Sequence, residues 1–244
     1  DSAHIQEQEA EWQNRKAERS GYEQYVPVYT VADAVESLKL FVGYGYNKPI
    51  EIVDGITINF CDAGHLLGSS SIHITVKEND EERTILFSGD LGNIDRPLIR
   101  NPQNPPYADY VVIESTYGDR IHGERPDYIA QLTKIMQETF SKGGNLVIPS
   151  FAIGRTQELL YLFRIIKEQG LIKGHENFLV YVDSPLAVEA TKIYQDNLMG
   201  YYDEETIALV KQGINPISFP GLRLSVTTEE SRAINFDLIP KVII

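Results

Sequence analysis

Residues 145–184 read NLVIPSFAIGRTQELLYLFRIIKEQGLIKGHENFLVYVDS. The apolar run NLVIPSF reads as a strand, TQELLYLFRIIKEQG as a helix closed by Gly170, and NFLVYVDS as a second strand. That order is the unit of a parallel sheet, because parallel neighbours need a long crossover and a helix supplies it. Neither apolar run alternates, which is the pattern of strands covered on both faces. Ser184 followed by Pro185 gives the N-cap and first position of a further helix, PLAVEATKIYQDN. The rhythm extends back to PDYIAQLTKIMQETFSK, with Pro126 at the first helical position and Ile129, Leu132, Ile135 or Met136, and Phe140 on one stripe. It extends forward to PKVII, a last strand.

Upstream the pattern differs. Ser2 can cap a helix running to about Ser20 with Gly21 as its stop, and Thr30 with Asp33 forms a capping box for VADAVESLKLF, running to Gly43. EIVDGITINFC, SSIHITVKE and RTILFSG read as strands, the last two joined by the turn NDEE. A loop rich in Pro and Asn then leads to the apolar run YVVIEST. The expected class is α/β, with a border near residue 120 that gives domains 1–120 and 121–244.

A chain of 244 residues with 42% hydrophobic content can bury a substantial core. It contains no apolar run near the roughly 18 residues of a membrane span, and its amino end is polar, so no membrane partner and a cytoplasmic location are expected. The chain opens without Met inside a helical pattern, as a piece of something longer would. Cys61 is the single cysteine, which excludes an intramolecular disulfide and a CxxC zinc site, and it reads as a small buried hydrophobe. A net charge of −13 argues against non-specific duplex binding, so any nucleic-acid contact must be local.

The chemically able side chains fall at the carboxyl ends of strand candidates, where clefts open in layered α/β folds. NFCDAGH ends in His65, ILFSGD in Asp90, VVIE in Glu114, and LVYVDS in Asp183 and Ser184. Imidazole and carboxylate are zinc ligands, and Gly64 and Gly89 let the backbone turn a side chain into a cleft. Taken singly, His65 is explained as a hydrogen-bonded structural residue and SGDLGN as an Asp turn. His73 alternates with Ile72 and Ile74 and is expected on the opposite, solvent-facing side of its strand. AGHLLGSSS lacks the Lys of a phosphate loop, and no GxGxxG follows a strand.

In order and together, DAGHLLGSSSIHI, LFSGDLGN, IESTYGDRIHGER, IPSFAIGRTQELL and DSPLA resemble the successive signatures of metallo-β-lactamase proteins of the β-CASP branch. The Glu of ESTYG is closer to the branch's RNA-processing nucleases. The resemblance implies part of a metallo-β-lactamase αββα sandwich over residues 1–120. Over residues 121–244 it implies most of a β-CASP domain, a parallel sheet flanked by helices that caps the metal site and forms a cleft for single-stranded RNA. It also implies that His65 is a metal ligand and that Asp90 bridges two zinc ions. Glu114 would be the acid that orients a histidine protonating the leaving oxygen. His122 would contact a substrate phosphate or make a structural hydrogen bond. Arg155, at the start of a helix whose backbone N–H groups favour anions, would hold a phosphate or pair with an acidic core neighbour. Ser150 and Ser184 would cap helices or touch the nucleic-acid backbone.

In that family an HxHxDH cluster supplies most zinc ligands and the residue that activates water; here it is expected shortly before residue 1. Two later histidine motifs are expected beyond PKVII. Two ligands do not close a di-zinc site. The chain alone is therefore expected to hold no stoichiometric zinc and to be inactive, while the intact protein, with two Zn2+, is read as a zinc-dependent ribonuclease. A non-catalytic β-CASP nucleic-acid-binding or scaffold subunit is the alternative. A thioester or lactam hydrolase of the same fold would leave GRTQE and DSPLA without a role. A sandwich lacking strands would expose apolar edges, which favours a homodimer or a longer parent chain.

Overall fold

A computed structural model describes residues 2–17, 24–121, 123, 125–197 and 200–244. By its contacts the chain divides into two units, residues 1–45 and 46–244. The first holds α1 (Ser2–Ala17) and α2 (Val31–Ser37), the latter continued by one 3-10 turn at Leu38–Leu40. The expected capping box is present: Asp33 N–H donates to Thr30 Oγ1 and Thr30 N–H donates to Asp33 Oδ2. Glu7 Oε1 accepts the Val31 N–H at 2.9 Å, which ties α1 to the start of α2. The expected end of the first helix, Ser20 with Gly21, lies outside the described residues.

Among the described residues the second unit contains two sheets. The first is mixed, in the order β1 (Ile50–Val53), β2 (Ile56–Asp62), β3 (Ser70–Glu78), β4 (Glu81–Phe87), β5 (Tyr110–Val112). Neighbours are antiparallel except β4 and β5, which are parallel. EIVDGITINFC is thus a hairpin rather than one strand, folded at Asp54 and Gly55, where Gly55 has φ of 78°. Register puts Ile58 opposite Ile74 and Phe60 opposite Ile72, with Ile85 and Phe87 continuing the same face. No side chain on that face is fully buried, and Phe87 is 41% exposed. The opposite face carries Cys61, Ser71, His73 and Leu86, all buried. His73 therefore does lie opposite the isoleucines, but on the covered side, with Nε2 3.0 Å from the Tyr107 carbonyl oxygen. The expectation that it meets solvent is corrected: the face that carries His73 is the buried one, and the isoleucine face is the more open of the two.

After β5 come α3 (Tyr128–Ser141), β6 (Leu146–Val147), α4 (Arg155–Glu168), β7 (Leu179–Val182), α5 (Pro185–Asp196), α6 (Glu204–Lys211), β8 (Leu222–Leu224), α7 (Thr228–Ile234) and β9 (Lys241–Ile243). The four strands form an all-parallel sheet in the order β6-β9-β7-β8, so β9 sits between β6 and β7. Val180, Val182 and Val242 share a core with Met136 and Phe140 of α3 and with Leu160, Phe163 and Ile166 of α4. Ser184 caps α5 and Pro185 takes its first position, as the sequence predicts. α3 starts two residues later than expected: Asp127 is the N-cap and accepts the Ala130 N–H, which leaves Pro126 outside the helix. NLVIPSF pairs over two residues only and Val147 is 64% exposed, so it is an open strand rather than a buried one. No helix among the described residues is long and apolar enough to cross a membrane.

Candidate functional site

β2, β4 and β5 run in the same direction, because β3 is antiparallel to both its neighbours and β5 is parallel to β4. Their carboxyl ends therefore lie at one edge of the mixed sheet, and the residues just beyond them are His65, Asp90 and Glu114. Two close backbone approaches complete the convergence. Gly92 N–H donates to the Ala63 carbonyl at 2.8 Å, and a Cβ on Gly92 would fall 1.7 Å from the Gly64 oxygen. Gly64 has φ of 59°, and a Cβ there would meet Pro102 N at 2.5 Å.

The His65 turn is built by buried Asp62. Its Oδ1 accepts the Gly64 N–H at 2.9 Å and its Oδ2 accepts from Arg100 Nη2 at 3.0 Å. Ser69 Oγ accepts the N–H groups of both His65 and Leu66. The imidazole so presented has Nε2 4.0 Å from Asp90 Oδ2. Glu114 supports Asp90 through the chain: its Oε1 accepts the Leu91 N–H at 2.6 Å, and its own N–H donates to Ser88 Oγ at 2.9 Å. The Leu91 N–H, followed by the Thr116 hydroxyl, holds the Glu114 carboxyl below its ordinary range. Between the two loops, Leu91, Asn93, Glu114 and Tyr117 line an open cleft of about 340 Å³.

A tetrahedral zinc with donors roughly 2.0–2.2 Å away holds them about 3.3–3.6 Å apart, so the His65 and Asp90 side chains, at 4.0 Å, would close by a few tenths of an ångström to share one ion. The pair therefore fits as part of a metal site. Among the described residues no group of three His, Cys, Asp or Glu side chains gathers, and a closed site requires donors beyond these two.

Arg155 is the first residue of α4, and Ser150 lies in the loop before it. Gly154, at φ of 84°, is the N-cap, and its N–H is accepted by Gln157 Oε1 at 2.7 Å. Ser150 Oγ accepts from Thr156 Oγ1 at 3.3 Å. Arg155 pairs with an acidic core neighbour: Nη1 donates to Glu158 Oε2 at 2.7 Å while the side chain stays 54% exposed. Ser184 lies at the end of β7, where its hydroxyl accepts the Ala187 N–H at 3.3 Å. His122 lies outside the described residues. Arg96 and Glu158, which connect the His65 turn to α4, are absent from the sequence reading. The available signal was a carboxylate at position 158 directly before the apolar run LLYLF, which demands a partner if that turn is buried.

The arrangement defines an α/β protein whose strand ends gather an imidazole and carboxylates beside an arginine-bearing helix start. Residues 156–244 match the Beta-Casp domain family. The chain is 34% identical over 225 residues to "Ribonuclease TTHA0252" of Thermus thermophilus, covering 89% of this chain and 48% of that protein. It is 30% identical over 191 residues to an "RNase J-like protein" of Methanocaldococcus jannaschii, covering 77% and 43% respectively. With "Endoribonuclease YSH1" of Yarrowia lipolytica it shares 29% identity over 201 residues, 82% of this chain and 24% of that one. The chain belongs to the β-CASP branch of the metallo-β-lactamase proteins. It spans less than half the length of each of these three relatives.

Proposed function

We propose that the full-length protein is a zinc-dependent ribonuclease acting on single-stranded RNA. The observation that carries this reading is the meeting of His65 and Asp90 at one sheet edge, 4.0 Å apart, with Glu114 fixing the loop that presents Asp90. The names of two relatives, a ribonuclease and an endoribonuclease, support the reaction class. His65 and Asp90 would supply part of a two-zinc centre. Bound there, zinc supplies Lewis-acid chemistry: it lowers the pKa of water and neutralises charge on a phosphodiester under attack. The exposed edge of Arg155, with Ser150 in the loop before it, would take a backbone phosphate where the start of α4 already favours anions. Ser184 and His122 are proposed as further backbone contacts. A focused cation is what a chain of net charge −13 needs to bind RNA. We place the border between the two domains near residue 120, after the mixed sheet ends at β5.

Asp90 is 76% exposed and holds no core contact, so Asp90→Asn should leave folding intact. In the full-length protein this variant should lose cleavage of a labelled single-stranded oligoribonucleotide by roughly 100-fold or more, with an unchanged melting temperature. Cleavage at the wild-type rate would overturn the reading.

A further inference from the structure

Glu158 is 6% exposed, and its two oxygens serve different parts of the molecule. Oε1 accepts from Arg96, at 2.7 Å from Nε and closer still from Nη2, while Oε2 accepts from Arg155. Arg96 Nη1 continues to the His65 carbonyl oxygen at 3.3 Å. Both oxygens accept from guanidiniums and the carboxyl is buried, so Glu158 presents no oxygen to a substrate. A carboxylate clasped by two guanidiniums at this depth is rigid, since losing one partner leaves charge uncompensated away from water. Packing repeats the connection. A Cβ on Gly154 would lie 2.4 Å from Leu66 Cδ2, so the residue after His65 fills the space beside the start of α4. A small gap at the junction is lined by His65, Arg96, Gly154, Glu158 and Tyr194.

We propose that Glu158 is a positioning residue. It holds Arg96 against the backbone of His65 and holds Arg155 at the start of α4, so that imidazole and guanidinium keep one fixed spacing. This rests on the reading of His65 as a metal ligand and Arg155 as a phosphate contact. A substrate phosphate on the exposed edge of Arg155 is thereby set in register with the metal centre, through one buried carboxylate that touches neither.

The test uses full-length protein, stripped and reloaded with zinc. Affinity is read by competition with a chromophoric chelator, and kcat and KM are read on a single-stranded oligoribonucleotide. Glu158→Gln should remain folded by its thermal melt, bind zinc roughly 10- to 100-fold more weakly, and lose kcat by more than KM changes. Arg96→Lys keeps a cation beside Glu158 but withdraws from the His65 carbonyl, and should reproduce the zinc and kcat defects. The double variant should be no worse than Glu158→Gln, because the two residues act in series. Wild-type zinc affinity and kcat in a folded single variant overturn the proposal, as does an additive loss in the double. If Glu158→Gln does not fold, Arg96→Lys decides. A wild-type protein that binds zinc and cuts no RNA sinks the ribonuclease reading alone, since the zinc affinities still judge Glu158. Wild-type protein that takes up no zinc overturns both.

Discussion

Asp109 shows how single exposed residues tie this chain together. Its Oδ2 accepts the Thr84 N–H at 2.7 Å and the Thr84 hydroxyl at 2.9 Å, joining the entry of β5 to β4. The Thr84 N–H, then its hydroxyl, holds the Asp109 carboxyl below its usual range. A depressed folded pKa gives stability that is present above the unfolded value of about 3.9 and lost as pH falls through the folded one. Asp109→Asn should therefore have a lower urea midpoint than wild type at neutral pH, with the gap closing as the pH falls below the unfolded value. An equal gap at both ends of that range would show that charge plays no part. At this scale the strand-end residues were legible, because His65, Asp90 and Glu114 each follow an apolar run. His73 was placed on the correct side of its strand, and only the state of that side was misjudged, since period-2 alternation separates faces without saying which is covered. Arg96 stayed invisible because its partner Glu158 is 62 residues away.

Among the elements, the contact between the 63–65 turn and the 90–93 loop decides whether the strand-end side chains meet. Gly92→Ala would place a methyl group 1.7 Å from the Gly64 oxygen, and backbone at both ends of the clash has little room to give. Gly68 has φ of 83° but open space around it, so Gly68→Ala meets only the left-handed backbone penalty. Chemical denaturation should show a loss of about 3 kcal/mol for the first and about 1 kcal/mol for the second. Equal losses would mean that the loops separate without consequence. Element reading from sequence succeeded where caps are explicit, as at Thr30 and Ser184. It passed over α6, β8 and α7. The Thr227–Glu230 capping box was available as a signal, but α7 covers seven residues and β8 three, too short for periodicity to register.

For the molecule as a whole, the open face of the mixed sheet carries the main consequence. Ile58, Phe60, Ile72, Ile74, Ile85 and Phe87 form one contiguous apolar surface, and patches of this kind mark association. This chain should self-associate in sedimentation at micromolar concentration and bind a hydrophobic dye, with Phe87→Ser and Val112→Ser together weakening both. A strictly monomeric chain without dye binding would sink that expectation. The parallel sheet carries a different consequence, one of timing. Among the described strands of that sheet β9 comes last in the chain, yet it lies between β6 and β7. While the ribosome is still adding residues 183–240, β6 and β7 have no hydrogen-bonded route to each other, and β7 can pair only with β8 once that strand emerges. Closure waits for residues 241–243, so β6 and β7 stay unjoined while the chain between β7 and β9 is made, an interval in which their edges are open to mispairing.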